Sequence, residues 1–140
     1  MTTHEYILKN WEKTIRRPGK DDVQSFIKMP CPYTTPTECN LFNNFYYWDT
    51  YFTNIGLIID GLDKQAENNL DVMAFFIDKL GFMPNADHLI FASQPPFFTR
   101  GVYDLYVFRK DEIIIKKYYK QIISELEFWQ IDRIAETGLA

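Results

Sequence analysis

The feature that most constrains the fold is the segment 46–62, which is apolar around nearly the whole circumference of a helix. Gly61 is a natural stop for this helix, because glycine readily adopts the left-handed conformation that ends one. The apolar positions are Trp48, Tyr51, Phe52, Ile55, Leu57, Ile58 and Ile59. Such a surface is stable only when other elements cover it, so we expect a mostly buried helix inside a helical protein.

Four other segments combine helical periodicity with recognisable boundary residues. The predicted ranges are 4–16, opened by a Thr2/Glu5 capping box, 64–80, ended by Gly81, 95–108, opened by Pro95-Pro96, and 111–137, opened by Asp111 or Glu112. The connections 19–44 and 82–93 are irregular, and only 89–91 could form a short strand. The sequence therefore predicts an all-α fold with five helices and two long loops.

Size and charge exclude several classes of partner. The 140 residues match a single domain, and the net charge of −4 lacks the basic surface that nucleic acid requires. The longest apolar runs are far shorter than the roughly 20 residues of a transmembrane helix. We therefore expect neither nucleic acid nor a membrane as a partner.

The N-terminus and the few metal-ligating residues predict compartment and cofactor use. Residues 1–10 contain an acid and no apolar run typical of a secretory signal, which predicts a cytoplasmic protein. In that compartment Cys31 and Cys39 favour free thiols over a disulfide. Together with the distant His4 and His88 they form no ligand set with zinc spacing, and nucleotide-binding motifs are absent. We therefore expect no metal and no cofactor.

The densest chemical feature is the run 42–52, in which seven aromatic residues surround Asp49. One interpretation is structural, with the rings in the core and the carboxylate facing the positive end of a helix dipole. The other is a carbohydrate site, in which rings stack on apolar sugar faces and the carboxylate accepts hydrogen bonds from hydroxyls. Spacing alone leaves both interpretations open.

Three blocks of sequence, at 45–52, 83–97 and 125–139, together resemble the trehalase family of glycoside hydrolases. The run 45–52, FYYWDTYF, resembles the first signature of that family. The pair 83–85 (MPN) and 93–97 (SQPPF) resembles its second block. The run 125–129 (ELEFW), followed by 137–139 (TGL), resembles a later helix, and the order and spacing agree.

This resemblance implies an (α/α)6 toroid of six helical hairpins, of which residues 1–140 would be the N-terminal part of a single catalytic domain. The other four predicted helices must bury faces of their own and could hardly also enclose segment 46–62, and a partial toroid would explain this shortfall. Members of the family are inverting glycosidases that act on trehalose or a related α-glucoside, using one protonated carboxyl and one carboxylate. Both catalytic residues lie downstream in the family pattern, so no catalytic residue is assigned in this chain.

The resemblance also implies which residues contact the sugar. Carried over position by position, these are Phe42, Trp48, Asp49, Asn85, Ser93 and Gln94. Each of them also has a structural alternative; Asn85 could complete a turn after Pro84, and Gln94 could cap the fourth helix.

The sequence departs from the family pattern at three positions near these residues. Leu41 and Ala92 stand where the family has arginine, and Asn44 stands where it has glutamate. Because leucine and alanine provide no hydrogen-bond donors, these changes weaken trehalose as the specific substrate and favour another α-glucoside or a related oligosaccharide. The alternative function is a non-catalytic helical module that binds sugar or a protein partner. In either case we expect uncovered apolar helix faces to promote self-association.

Overall fold

The computed structural model describes residues 1–19 and 27–133, apart from the side chain of Asn40. Within these residues the elements are α1 (Thr3–Thr14), β1 (Ile15–Arg16), β2 (Tyr33–Thr34), a 3-10 turn (Asn40–Phe42), α2 (Tyr47–Ile59), α3 (Asp63–Leu80), α4 (Phe98–Arg109), α5 (Ile113–Glu127) and a π-helical turn (Phe128–Asp132). The predicted all-α fold with five helices is confirmed, and it is consistent with part of an (α/α)6 toroid.

Helix α3 forms the centre of the core and contacts α2, α4, α5 and β2. Half of its residues are buried, with Leu70, Met73 and Ile77 among the apolar ones. It ends where predicted, because Gly81 adopts the left-handed conformation with φ of 84°. The packing of four elements around one helix makes α3 the scaffold on which α2 and the loops rest.

Helix α2 is covered on one side only, and the expectation that it is mostly buried is wrong for the described residues. Its buried side chains are Tyr47, Thr50, Asn54 and Leu57, which follow one stripe of the helix. On the opposite side Ile59 is 74% exposed, and Phe52 is also exposed. The apolar circumference seen in the sequence therefore leaves an uncovered face.

A buried polar network joins α2 and α3 to the loop that precedes them. Asn69 donates from Nδ2 to the Oδ1 atom of Asn54 and to the Oγ1 atom of Thr34, at 2.8 Å in each case. Its Oδ1 atom accepts the backbone N–H of Thr34 at 3.0 Å and the Nε2–H of Gln65 at 3.3 Å. Because all four hydrogen-bonding positions of the Asn69 amide are used, the network adds directional contacts to the core without leaving that amide unsatisfied.

Helix α1 begins as predicted and ends two residues early. The capping box is present, with Glu5 N–H donating to Thr2 Oγ1 at 3.2 Å and Thr2 N–H to Glu5 Oε2 at 2.7 Å. The helix stops because Ile15–Arg16 pair antiparallel with Tyr33–Thr34 in a two-stranded sheet. This pairing partner lies far along the chain, so helical periodicity alone could not reveal it.

Other predicted elements also differ from the structure, among them α2, which ends at Ile59 although the predicted segment reached residue 62. Helix α4 begins at Phe98 rather than at Pro95, because a residue that precedes a proline disfavours the helical conformation. No strand forms at 89–91, where Leu89 makes one isolated bridge with Ala86. Helix α5 ends at Glu127 and continues only as the π-helical turn, and its predicted extension over 134–137 lies outside the described residues.

In the described part of the chain, no helix combines the length and apolar character needed to cross a membrane. Cys31 and Cys39 are both free thiols, as predicted. Among the same residues, no group of three or more His, Cys, Asp or Glu could hold a metal ion.

Candidate functional site

The start of α2 is capped by the loop 81–97 between α3 and α4, which we call the site loop. The first N–H groups of a helix lack partners within it, and the residue before α2, Tyr46, provides no side-chain cap. Instead, Tyr47 N–H donates to the carbonyl of Asn85 at 3.0 Å, and Trp48 N–H donates to Oε1 of Gln94 at 2.9 Å. The start of α2 and the site loop, which are about forty residues apart in sequence, are thereby held against each other.

The site loop is closed by its own hydrogen bonds. Asn85 N–H donates to the carbonyl of Ala92 at 2.7 Å, and the Ser93 hydroxyl donates to the carbonyl of Met83 at 2.7 Å. The one hydroxyl hydrogen of Ser93 is therefore committed to loop closure, which leaves its oxygen as an acceptor. This closure presents Asn85 and Gln94 on the side of the loop that faces α2.

A cavity of about 330 Å³ lies beside the start of α2. It is lined by Pro36, Thr37, Phe42, Tyr46 and Asp49. The rings of Phe42 and Tyr46 meet edge to face, with centroids 6.1 Å apart. A half-buried carboxylate beside two aromatic rings is the combination that orients a small polar ligand with apolar faces.

The six predicted site residues occupy three kinds of position. Phe42, which is 48% exposed, and Asp49 line the cavity. Trp48 is 44% exposed next to Asp49, and its ring lies against Phe52 at 6.3 Å between centroids. Asn85 and Gln94 support the start of α2, Ser93 closes the site loop, and none of the three lines the cavity. Contact of any of the six residues with a sugar stays a prediction.

Side chains of the site loop retain hydrogen-bonding capacity at Asn85, at Gln94 and at Asp87, whose buried Oδ2 atom has no partner within the described residues. The Oδ1 atom of Asn85 is buried and has no hydrogen-bond partner within 1–19 and 27–133. Gln94 uses its Oε1 atom on Trp48, and no hydrogen bond of its Nε2 atom is found within the described residues. Because buried acceptors in proteins are nearly always satisfied, Asn85 is suited to receive a donor from a ligand or a water molecule.

The sequence did not predict a role for Asp87, which contacts residues beside the cavity without lining it. This buried carboxylate accepts Nδ2–H of Asn44 at 2.9 Å and lies 3.1 Å from Nδ1 of His88 through the same Oδ1 atom. The His88 ring in turn packs edge to face on Tyr46 at 5.8 Å. Asn44, which stands where the family has glutamate, could have indicated a neighbouring carboxylate, because an amide at this position can donate a hydrogen bond to one.

Tyr46 was also left out of the predicted set, although it lines the cavity. Burial raises the pKa of its hydroxyl, and the nearby charges of Asp87 and Asp49 raise it further. The phenol therefore stays protonated near neutral pH and can donate a hydrogen bond into the cavity.

The two positions that lack the family's arginine are both at the surface. Leu41 is 81% exposed and Ala92 is exposed as well. Neither side chain can donate a hydrogen bond to a ligand.

A larger open groove of about 500 Å³ lies between α1 and α2, away from these residues. Trp11 lies across this groove, and its Nε1–H donates to Oδ2 of Asp60 at 2.6 Å. The Trp11 ring also lies so close to Gly56 that a Cβ atom on residue 56 would be 3.1 Å from the ring. None of the predicted site residues lines this groove. Its size alone gives no reason to assign chemistry to it.

Comparison with known proteins supports one family. The family model for trehalase matches residues 2–138. A periplasmic trehalase of Pseudomonas aeruginosa is 36% identical over 107 residues, which are 75% of this chain and 19% of the relative. A periplasmic trehalase of Xanthomonas campestris pv. campestris is 33% identical over 128 residues, covering 89% of this chain and 22% of the relative. One from Escherichia coli O1:K1 is 33% identical over 107 residues, 75% and 18% respectively.

These relatives correct one expectation. The prediction of a cytoplasmic protein is wrong, because the relatives from three bacterial genera are named periplasmic trehalases. The chain spans about a fifth of the length of the curated relatives that it matches. Since the family model covers nearly every residue and the identities exceed 30%, the chain belongs to the trehalase family.

Proposed function

We propose that this chain supplies sugar-binding residues for the inverting hydrolysis of trehalose or a related α-glucoside, and that residues 1–140 are part of a single (α/α)6 domain. The observation that carries the proposal is the cavity of about 330 Å³ in which Asp49 meets the rings of Phe42 and Tyr46. The names of the relatives support the same reaction and a periplasmic location.

In this proposal the chain binds and orients the sugar. Asp49 accepts hydrogen bonds from two hydroxyls of one glucosyl unit, while Phe42, Tyr46 and Trp48 contact its apolar faces. Asn85 and Gln94 act through the free amide atoms described above. Inverting hydrolysis needs an acid and a base about 6.5–9.5 Å apart across the glycosidic bond, and neither role is assigned to a residue of this chain.

Substrate choice follows from the positions without arginine. With Leu41 and Ala92 in place of two arginines, the site has fewer fixed donors for the hydroxyls of a second sugar unit. We therefore propose that the substrates include α-glucosides other than trehalose.

The proposal predicts that Asp49→Asn weakens sugar binding by about thirtyfold, because hydrogen bonds to a charged group contribute about 2 kcal/mol. The measurement is an NMR titration of the 140-residue chain with trehalose and with a panel of α-glucosides. Asp78→Asn is the matched control, since Asp78 pairs with Lys120, does not line the cavity and loses the same charge. Equal affinity in the Asp49 variant and the wild type would contradict the assigned role.

Glucose release assigns the reaction itself. In a chimera of the Pseudomonas aeruginosa trehalase that carries the matching residues of this chain, we expect hydrolysis of trehalose or of another α-glucoside in the panel. Glucose release by the 140-residue chain on its own would mean that it contains the catalytic carboxyls, and would overturn the binding role proposed for Asp49.

The uncovered apolar surface favours a second role in protein association. Ile59 and Phe52 are exposed large apolar side chains on the uncovered side of α2, and exposed apolar patches mark contacts with other elements or proteins.

We expect the purified chain to self-associate at micromolar concentration through this surface. The measurement is light scattering across a concentration series. Ile59→Asp should lower the apparent mass towards 16.7 kDa, whereas Lys116→Asp, on an exposed and already charged position, should not. A wild-type chain that stays monomeric throughout the series contradicts this expectation.

A further inference from the structure

Tyr47 connects the candidate site to the core. It is the first residue of α2 and lies between the cavity-lining Tyr46 and the exposed Trp48, yet its own side chain is completely buried. Its hydroxyl accepts the backbone N–H of Phe98 at 2.7 Å and donates to Oε1 of Glu125 through a short hydrogen bond. One hydroxyl therefore joins α2, the start of α4 and α5.

Glu125 is an unusual residue for this position. It is 1% exposed, and its Oε2 atom has no hydrogen-bond partner in the described part of the chain. Burial raises the pKa of this carboxyl to about 7, although the hydrogen bond from Tyr47 acts in the opposite direction. An apolar side chain would avoid this desolvation cost, so a buried carboxyl at this point needs a reason other than packing.

The Tyr47 hydroxyl lies at the junction of the two segments that carry the predicted sugar contacts. Gln94 is four residues before Phe98, and the intervening Pro95-Pro96 limits the backbone freedom between them. At its other end Gln94 accepts Trp48 N–H at 2.9 Å. Phe98 is thus tied to α2 through Tyr47, and Gln94 is tied to α2 through Trp48.

We infer that Glu125 and the Tyr47 hydroxyl act as positioning groups that hold Trp48 and Gln94 in register for sugar binding. Glu125 orients the phenol by accepting a hydrogen bond from it, and the phenol oxygen is then directed at the N–H of Phe98. Loss of the hydroxyl frees that N–H and lets the start of α4 shift relative to α2. This inference rests on the proposed function for its sugar-binding consequence, but not for its conformational one.

Tyr118 is a matched control within the same fold. It is equally buried, its ring packs on Phe98 with centroids 5.7 Å apart, and its hydroxyl donates to a carboxylate, Oδ1 of Asp71, at 2.7 Å. That bond joins α5 to α3 and does not reach the site loop. Tyr118→Phe therefore removes the same chemical group from the core without touching the junction.

The test compares Tyr47→Phe with Tyr118→Phe in the 140-residue chain. For each variant the trehalose affinity is measured by NMR titration, and hydrogen exchange of the Trp48 backbone amide is measured without sugar. We expect Tyr47→Phe to weaken the affinity about tenfold and to speed exchange of the Trp48 amide about tenfold, because the bond to Gln94 is no longer held. Tyr118→Phe should leave the trehalose affinity and the exchange rate of the Trp48 amide unchanged, even if it lowers the urea midpoint of unfolding as much as Tyr47→Phe does.

A second pair of variants addresses Glu125. Glu125→Gln keeps an acceptor for the Tyr47 hydroxyl and should retain slow Trp48 exchange, whereas Glu125→Ala should reproduce the Tyr47→Phe result. Similar exchange rates in the Tyr47 and Tyr118 variants would overturn the inference. A wild type that binds none of the sugars would refute the proposed function, and the exchange data would still decide the positioning role.

Discussion

Replacing Asn69 by alanine is expected to lower the free energy of unfolding by about 4 kcal/mol. The substitution removes four buried hydrogen bonds at once and leaves the amide oxygen of Asn54 and the backbone N–H of Thr34 without their partner. Each buried polar group left unsatisfied costs about 1–3 kcal/mol, and the lost side-chain volume adds to that cost. The measurement is urea unfolding followed by circular dichroism.

The neighbouring Asn68 provides the control for this prediction. It is half-buried on the same helix, and its side chain makes one long contact of 3.5 Å with Gln65. Asn68→Ala should therefore change the free energy of unfolding by less than about 1 kcal/mol. A loss at Asn69 as small as the loss at Asn68 would show that the network contributes little to stability.

The free energy of unfolding is also expected to fall by about 3 kcal/mol as the pH rises from about 4.5 to about 7, because of Glu125. Burial raises the pKa of this carboxyl to about 7 in the folded chain, from an ordinary value of 4.5. Between these values the folded state keeps a proton that the unfolded state has released, so each rise in pH favours unfolding. Above about 7 both states are ionised, and the loss is complete.

Two variants, Glu125→Gln and Glu67→Gln, separate the contribution of Glu125 to the pH dependence from the contributions of other titrating groups. Glu125→Gln cannot ionise, so its urea midpoints at pH 4.5, 5.5, 6.5 and 7.5 should lack the part of the decline that Glu125 causes. An unchanged decline in this variant would assign the pH dependence to other groups.

Glu67 is the opposite case and serves as the control. Burial alone would raise its pKa, but hydrogen bonds from Lys117, Arg109 and Lys64 outweigh burial and hold the pKa at about 2. Its stabilising contribution is present above its ordinary pKa of 4.5 and is lost as the pH falls towards 2. Glu67→Gln should therefore be less stable than the wild type at neutral pH, yet show the same decline between pH 4.5 and 7.

Helix ends could be predicted from sequence where the signal is local. The Thr2/Glu5 capping box and Gly81 both act within one turn of the helix that they bound, and both occur where predicted. The end of α1 could not be predicted, since it depends on pairing of Ile15–Arg16 with residues about eighteen positions away. A short window of sequence contains the capping residues of a helix but not a strand partner that lies elsewhere in the chain.

The residues of the candidate site likewise divide into those predicted from the sequence and those revealed only by contacts in the tertiary structure. Family resemblance supplied all six predicted site residues, because the run 42–52 taken alone left a structural interpretation open for its aromatic residues and for Asp49. The sequence did not reveal Asp87, Tyr46 as a cavity residue, or Tyr47 with Glu125, because their roles arise from contacts between separate elements.

What the amino-acid sequence determined by itself is the helical class, most helix positions and the family, since periodicity, capping and motif order are properties of the linear chain. Only the tertiary structure decided which face of α2 is covered and which groups complete the start of that helix. The physical reason is that the unsatisfied N–H groups and the apolar positions of α2 belong to that segment itself, whereas their partners come from elsewhere in the chain. Asn85 and Gln94 accept the N–H groups of Tyr47 and Trp48, and Glu125 accepts the hydroxyl of Tyr47, only after α3, α4 and α5 have packed.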